Sequence, residues 1–449
     1  MYAKSYVYTV KGEFMSSKNI FRGGIPVGGP EAPFAALASD VNRYVLDNGM
    51  VVLAKEVYPA NAVYLSLWCR VGSSYETDEE AGISHFVEHM LFKNTKKRKV
   101  GQVAQEIHAL GGYLNGFTSL DCTAYWMVLP GKAFAKALEI HYDAIFNPLF
   151  DPKEVEKECG VIIEEMKMYR DRPGSFLSEK LMQKALQKHR YGRPIIGYEE
   201  VIREVNAERL RDYYHNYYKP NNCFLLAVGD VDTMDIVRKC ERTYRKLKEG
   251  NVERTFSPKE PSQKKMRRFE IEGDIMTAHL QMAFHIPSVF DRDIYPLSII
   301  ATALGEGESS ILYREIREKR KLVNHISAGT YAQREPCLMF IQAEMPPENV
   351  EKAEEAIFNI LRNLKENGLT DREFQRAKNL AEARYVFGHE TVEAQGRKIG
   401  FAEVKGDYML VEKFIERIIS VDKEEADKSI GKYLVPSNCT VGIYKPEKS

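Results

Sequence analysis

The chain has 449 residues, with 64 Lys plus Arg against 64 Asp plus Glu, so its formal net charge is zero. No whole-molecule field draws it to nucleic acid or an anionic membrane, and partners must be chosen by local sites. Hydrophobic content of 44% with 11% aromatics suits a globular protein with large cores, the length points to two or more domains, and no apolar run reaches the length of a membrane span. Seven scattered cysteines (Cys69, Cys122, Cys159, Cys223, Cys240, Cys337, Cys439) without a CxxC pair argue against a disulfide framework or a thiolate zinc site, and for a reducing compartment.

The opening MYAKSYVYTVKGEFMSSKN has no apolar stretch of signal-peptide length, so a cytoplasmic location is expected. Residues 1–40 read as a Gly/Pro-rich extension ahead of the folded body. RYVLDNGMVVLAKE predicts a hairpin turning at Asp47-Asn48-Gly49, where Asn and Gly tolerate positive φ. VYLSLWCRV predicts a strand from Val63. Helical patterns dominate from Glu80 to Tyr218, NCFLLAVGDV predicts another strand, and a further helix runs to about Lys248. KLKEGNVERTFSPKEPSQKKMRR is polar, charged and proline-bearing, as a linker would be. The expected division is therefore a domain over 41–248, a linker over 249–268 and a second domain over 269–449.

The two halves resemble each other. Y-x-x-P-x-N-C leads into a strand at Tyr217 and again at Tyr433, an offset of 216 residues (433 minus 217). The same offset carries the strand at Val63 onto HLQMAFHIP at His279. The expected fold class is α+β: two homologous α/β domains, each a mostly antiparallel sheet packed by helices.

Within the first half, GISHFVEHMLF begins at Gly82. If it is helical, His85 and His89 stand one turn apart, separated by about 40° around the axis, and can converge on one zinc ion. Glu88 then lies beside the metal, where it can take a proton from a bound water. The alternative is two partly buried histidines with a surface glutamate, but the spacing H-x-x-E-H is an inverted zincin signature. The offset of 216 places Ala301, Leu304 and Gly305 at the corresponding points of the second half, so the second half cannot repeat this chemistry. A catalytic zinc site needs a third protein ligand. DPKEVEKECGVIIEEMKMYRDRP offers Glu158 and Glu165, two turns apart on one face of a helix opened by Asp151-Pro152. Taken alone, that acidic helix reads as a solvated face.

H-x-x-E-H followed by E-x6-E inside a helix resembles the inverzincin zinc peptidases, the family of pitrilysin, insulysin and the mitochondrial processing peptidases. The resemblance runs from about Asn42 to Lys445. It includes GGYLNGFTSLDCTAYW, similar to the family's glycine-led edge strand, and YGRPIIGYEEVIREVNAERLRDYYHNYYKPNN, similar to the segment closing its first half. It implies one zinc ion (Zn2+) per chain held by His85, His89 and Glu165, with Glu88 as general base and Glu158 supporting the site from behind. Glu164 is the neighbouring alternative; Glu165 keeps the seven-residue step from Glu158. Asn115 falls in the strand where a peptide substrate would pair through its backbone, although a polar turn residue there would look the same. The length and duplicated halves suit the short branch of the family, in which two chains enclose a peptide cleft on dimerisation.

The second half departs from that pattern. In GEGESSILYREIREKRKLVNHI, relatives carry an arginine after the serine pair and a tyrosine after the later basic-Leu step; here those places hold Ile311 and Asn324. In the family, that Arg and Tyr help stabilise the tetrahedral intermediate. The resemblance therefore implies a heterodimer with a homologous chain carrying the pair, or else a homodimer using His325 or another donor. Taken alone, GEGESS reads as a flexible loop and REIREKRK as a solvated basic helix face. The expected activity is zinc-dependent endopeptidase action on unfolded or short peptides. The rivals are a noncatalytic structural subunit and a module that only captures peptides.

Overall fold

The computed structural model describes residues 40–334 and 336–447; apart from Asp40, the expected N-terminal extension lies outside the described residues. The chain forms two compact units. The first contains β1 (Asn42–Val45), β2 (Val51–Glu56), β3 (Ala62–Cys69), β4 (Tyr113–Thr118), β5 (Thr123–Pro130) and β6 (Cys223–Gly229), ordered β1-β2-β6-β3-β5-β4 in one sheet. The second contains β7 (Arg267–Gly273), β8 (Ala278–Ile286), β9 (His325–Tyr331), β10 (Cys337–Met345) and β11 (Cys439–Pro446), ordered β7-β11-β8-β10-β9. Each sheet is antiparallel except for one pair, β2 with β6 and β7 with β11.

The internal repeat is visible in the strands themselves. β2, β3 and β6 begin at Val51, Ala62 and Cys223, and β7, β8 and β11 begin at Arg267, Ala278 and Cys439. Each pair is 216 residues apart (267 minus 51, 278 minus 62, 439 minus 223), and each sheet has its parallel pair at the same place. The expected hairpin is present, with Gly49 at φ 78°. The helical reading of Glu80 to Tyr218 needs one correction, because the β4–β5 hairpin interrupts it. TAYWM is buried throughout, so it lacks the alternation that marks a half-exposed strand.

The units are not continuous in sequence, which changes the expected segmentation. The first unit runs through Glu165 and takes Pro194–Phe256 and Gly388–Glu412; the second takes Met166–Arg193, Ser257–Phe387 and the chain from Lys413. The crossing at Phe256 falls inside the expected linker, but one helical segment from each half has joined the other unit. Packing explains the exchange. The helix Pro173–Ala185 lies on β8 and β11, where Ser178 Oγ donates to Gln281 Oε1 at 2.9 Å and Gln281 Nε2 donates to the Gly174 carbonyl at 3.0 Å. The helix Val392–Lys405 lies on β3 through two glycines. A Cβ at Gly396 would stand 2.2 Å from the Tyr64 ring, and one at Gly400 would stand 2.1 Å from Trp68. Both rings are fully buried, so only glycine lets this helix approach so closely.

Ile311 is buried in the second core with Leu312 and Ile316. Most of REIREKRK, expected as a solvated basic helix face, lies in a π-helical segment over Tyr313–Lys319 that buries Ile316. Asn324 is exposed, and its backbone N–H donates to Glu344 O at 2.7 Å. No helix among the described residues is long and apolar enough to cross a membrane.

Candidate metal centre

The helix Ile83–Leu91 carries the two-histidine motif. Ile83, Phe86, Val87, Met90 and Leu91 bury one face, and this amphipathic stripe fixes the rotation of the helix. Its N-terminus is held by Glu76, whose carboxylate accepts from Gly82 N and Ser84 N, both at 2.8 Å. Glu76 is itself buried. An acid there satisfies the unpaired first-turn amides and favours the positive end of the helix dipole. The opposite face then presents His85, Glu88 and His89, all partly buried.

The acidic helix Pro152–Arg170 starts where Asp151 Oδ1 accepts from Lys153 N at 2.9 Å. It buries Val155, Glu158, Ile162, Ile163 and Met166, so it is not the wholly solvated face that its charge suggests. Glu165 Oε2 stands 3.5 Å from His89 Nε2 and 3.9 Å from His85 Nε2. His85, His89 and Glu165 each offer one ligand atom, all within 4.8 Å of one another. Glu164 is exposed and outside this group. Glu158 Oε1 is 2.8 Å from His89 Nδ1, and Lys93 Nζ is 2.5 Å from Glu158 Oε2.

Glu88 faces β4. A Cβ at Gly116 would stand 2.7 Å from Glu88 Oε1, and Thr118 Oγ1 donates to Glu88 Oε2 at 3.4 Å. β4 is a sheet edge, paired only with β5. Asn115 is exposed on it, and its Oδ1 accepts from Gly116 N at 2.8 Å. Side chains alternate along a strand, so Tyr113, Asn115 and Phe117 share the face opposite Gly116 and Thr118. On that face the Tyr113 hydroxyl donates to Glu393 Oε2 at 3.0 Å, and Arg397 lies over the Phe117 ring at 5.4 Å. Asn115 is therefore at the edge, but on the face away from Glu88.

The donor set fits a zinc ion. Two imidazole nitrogens and a carboxylate oxygen at ordinary bonding distances in a tetrahedron stand about 3.3 Å from one another, and the carboxylate-to-nitrogen separations are 3.5 and 3.9 Å. Burial, with His89 adding to it, lowers the His85 pKa to about 3 and keeps that ring neutral. Burial lowers His89 as well, but its bond to Glu158 and the charges of Glu88, Glu158 and Glu165 raise it overall. Burial pushes Glu88 up to about 7, reinforced by Glu165 and opposed by His89 and Thr118. For Glu158 burial is overcome by the bonds from His89 and Lys93, which hold its carboxyl below the usual range. The arrangement can bind a divalent cation and accept a proton beside it.

Residues 51–199 match the family described as Insulinase (Peptidase family M16), and residues 204–381 match Peptidase M16 inactive domain. The chain belongs to peptidase family M16. Similar relatives include YmxG of Bacillus subtilis, named an uncharacterized zinc protease, which is 26% identical over 90% of this chain and 98% of its own length. Another protein named as an uncharacterized zinc protease, from Streptomyces coelicolor, is 28% identical over 86% of this chain and 85% of its own. The fold is also that of a protease from Helicobacter pylori, at a TM-score of 0.85 with 23% identity, over 90% of this chain and 99% of that one. An M16 inactive domain from Pseudomonas fluorescens aligns at a TM-score of 0.82 with 20% identity, over 91% and 98%. The M16 match named inactive spans most of the half without the histidine motif.

Glu76, Gly116, Thr118 and Lys93 were not singled out by the sequence reading. Gly116 and Thr118 lie inside the stretch resembling the family's edge strand, and their alternation is the signal that could have assigned them to the Glu88 side. Glu76 and Lys93 have no signal beyond their charge, because their partners are set by tertiary packing.

Proposed function

We propose that this M16 chain is a zinc-dependent endopeptidase acting on unfolded or short peptides. The observation that carries the reading is the convergence of His85, His89 and Glu165 beside Glu88, against an open sheet edge. His85 Nε2, His89 Nε2 and Glu165 would hold the ion. When bound, zinc supplies Lewis acidity to the scissile carbonyl and to an attacking water. Glu88 takes the proton from that water and passes it to the leaving amine. β4 holds the peptide by strand addition, which requires an extended backbone and so excludes most folded proteins. The contact of Gly116 with Glu88 keeps the base next to the edge along which that backbone would lie.

Oxyanion stabilisation requires donors, and neither second-half position supplies the family's groups. Ile311 is apolar and buried, and an Asn324 amide has a shorter reach than a tyrosine. We therefore propose a heterodimer with a homologous chain of similar length that carries the Arg and Tyr; a homodimer drawing on His325 is the alternative. A stable complex should bury more than roughly 1,000 Å². The test is digestion of a peptide mixture with mass-spectrometric readout, with this chain alone and then with a coexpressed homologue. Cleavage that requires the homologue supports both proposals, while full activity from the isolated chain, unchanged by any homologue, overturns the heterodimer. Elemental analysis tests the metal: a His85→Ala, His89→Ala double variant with full zinc occupancy would place the ion elsewhere. A zinc-free wild type that binds peptides without cleaving them would instead support a noncatalytic role.

A further inference from the structure

Lys93 follows the motif helix, one turn beyond His89, with its backbone N–H donating to Met90 O at 3.1 Å. Its ammonium reaches Glu158 Oε2 at 2.5 Å while His89 Nδ1 lies 2.8 Å from Oε1, so each oxygen of one carboxylate has its own partner. The Glu158 side chain is only 6% exposed. Without the ammonium, Oε2 loses its partner and the carboxylate is free to turn away from the imidazole. The consequence reaches the metal face through the imidazole. An anionic Glu158 can only accept, so His89 Nδ1 must carry the proton and Nε2 is left with a lone pair.

We propose that Lys93 is a positioning residue for zinc: by holding the Glu158 carboxylate against His89 Nδ1, it fixes the orientation of the ring that offers Nε2 to the ion. The inference rests on the metallopeptidase reading above. His85 has no equivalent arrangement, since its buried Nδ1 has no hydrogen-bond partner among the described residues. The organisation imposed through His89 therefore carries more of the site's geometry.

The test is zinc affinity, measured by chelator competition on the full chain at fixed pH, with metal-free melting curves as the folding control. Lys93→Met should weaken zinc binding by about 10- to 100-fold, the range for losing a partner behind a metal-ligating histidine. Lys93→Arg should stay within about threefold of wild type, because it restores a cation to the carboxylate. On a Glu158→Gln background, Lys93→Met should cost nothing further, since the carboxylate through which it acts is already gone. Should Lys93→Met not fold, Lys93→Gln gives the same comparison. Wild-type zinc affinity in the folded Lys93 variant, or an equal loss with and without Glu158, overturns the proposal. A wild-type chain that binds no zinc overturns the metallopeptidase reading and this inference together, whereas a zinc-binding wild type matched by the Lys93 variant overturns this inference alone.

Discussion

Among the carboxylates of the candidate site, Glu88 is the one that the proposed function assigns to moving a proton rather than holding a charge. Burial raises it to about 7, near the working range of a general base. Glu88→Gln keeps the shape of the side chain but cannot accept the proton. Zinc content should remain at the wild-type level while turnover falls by roughly 100-fold or more; wild-type cleavage by a zinc-loaded variant would remove Glu88 from this role. A second buried group should contribute to acid stability. His141 is fully buried, its Nε2 lies 3.1 Å from Tyr125 O, and burial lowers its pKa from 6.5 to about 4. A lowered histidine pKa means that below about 6.5 the unfolded chain binds a proton that the folded chain does not. Stability is therefore lost as pH falls from about 6.5 towards 4, by up to about 1.4 kcal/mol per pH unit for one group. His141→Gln removes the titrating group, and its denaturation midpoint should fall less steeply across that window. Equal slopes for wild type and variant would show that His141 does not control the acid limb.

At the scale of the element, the motif helix and the β4 edge strand form one device whose spacing is set by Gly116. The atom that a Cβ would meet is Glu88 Oε1, the end of a flexible side chain, so Gly116→Ala is accommodated by moving the base rather than by disrupting the fold. Melting temperature and zinc content should change little, while kcat falls by about 10- to 100-fold, the scale expected for misplacing a reacting group by about 1 Å. A variant that loses stability but keeps kcat per folded molecule would contradict this. The same strand also shows how an open edge is managed. Ser119 N–H donates to Cys122 O at the hairpin turn, which sets the alternation of the ladder and leaves the Gly116 N–H pointing away from β5. The Asn115 side chain satisfies that outward amide from its own strand, and edge strands commonly need such protection.

For the whole molecule, the exchange of one helix between the halves means that the linker is not a line along which the protein can be cut. A fragment ending at Phe256 retains β1 to β6 but lacks the helix Val392–Lys405, whose glycines seat against Tyr64 and Trp68. It should expose those rings, melt without a cooperative transition and aggregate. Supplying residues 388–412 on a separate chain should restore part of the cooperativity. A monomeric, cooperatively folded 1–256 fragment would show that the helix is dispensable. The second half also shows how duplication diverged: at the point matching His89 stands Gly305, where a Cβ would lie 1.9 Å from Ala328 N. The space that holds the histidine motif in one unit is taken up in the other by close packing of helix and strand.

The sequence by itself determined the H-x-x-E-H spacing, the duplication and its 216-residue register, because these depend on spacing along one helix or one repeat. It also singled out Glu158 and Glu165, whose seven-residue step puts them on one helical face, and the hairpin at Asp47-Asn48-Gly49, whose turn chemistry is local. Only the tertiary structure decided which carboxylate oxygen approaches the imidazoles, that Asn115 faces away from Glu88, and that Lys93, Glu76 and Gly116 lie beside the candidate site. It alone assigned the helices Pro173–Ala185 and Val392–Lys405 to the sheets they cover. Periodicity reports that a helix has a face to bury but carries no record of which surface will bury it. That choice was made by contacts between residues hundreds of positions apart, such as Gly400 against Trp68, where the absence of a single methyl group allows two elements to meet.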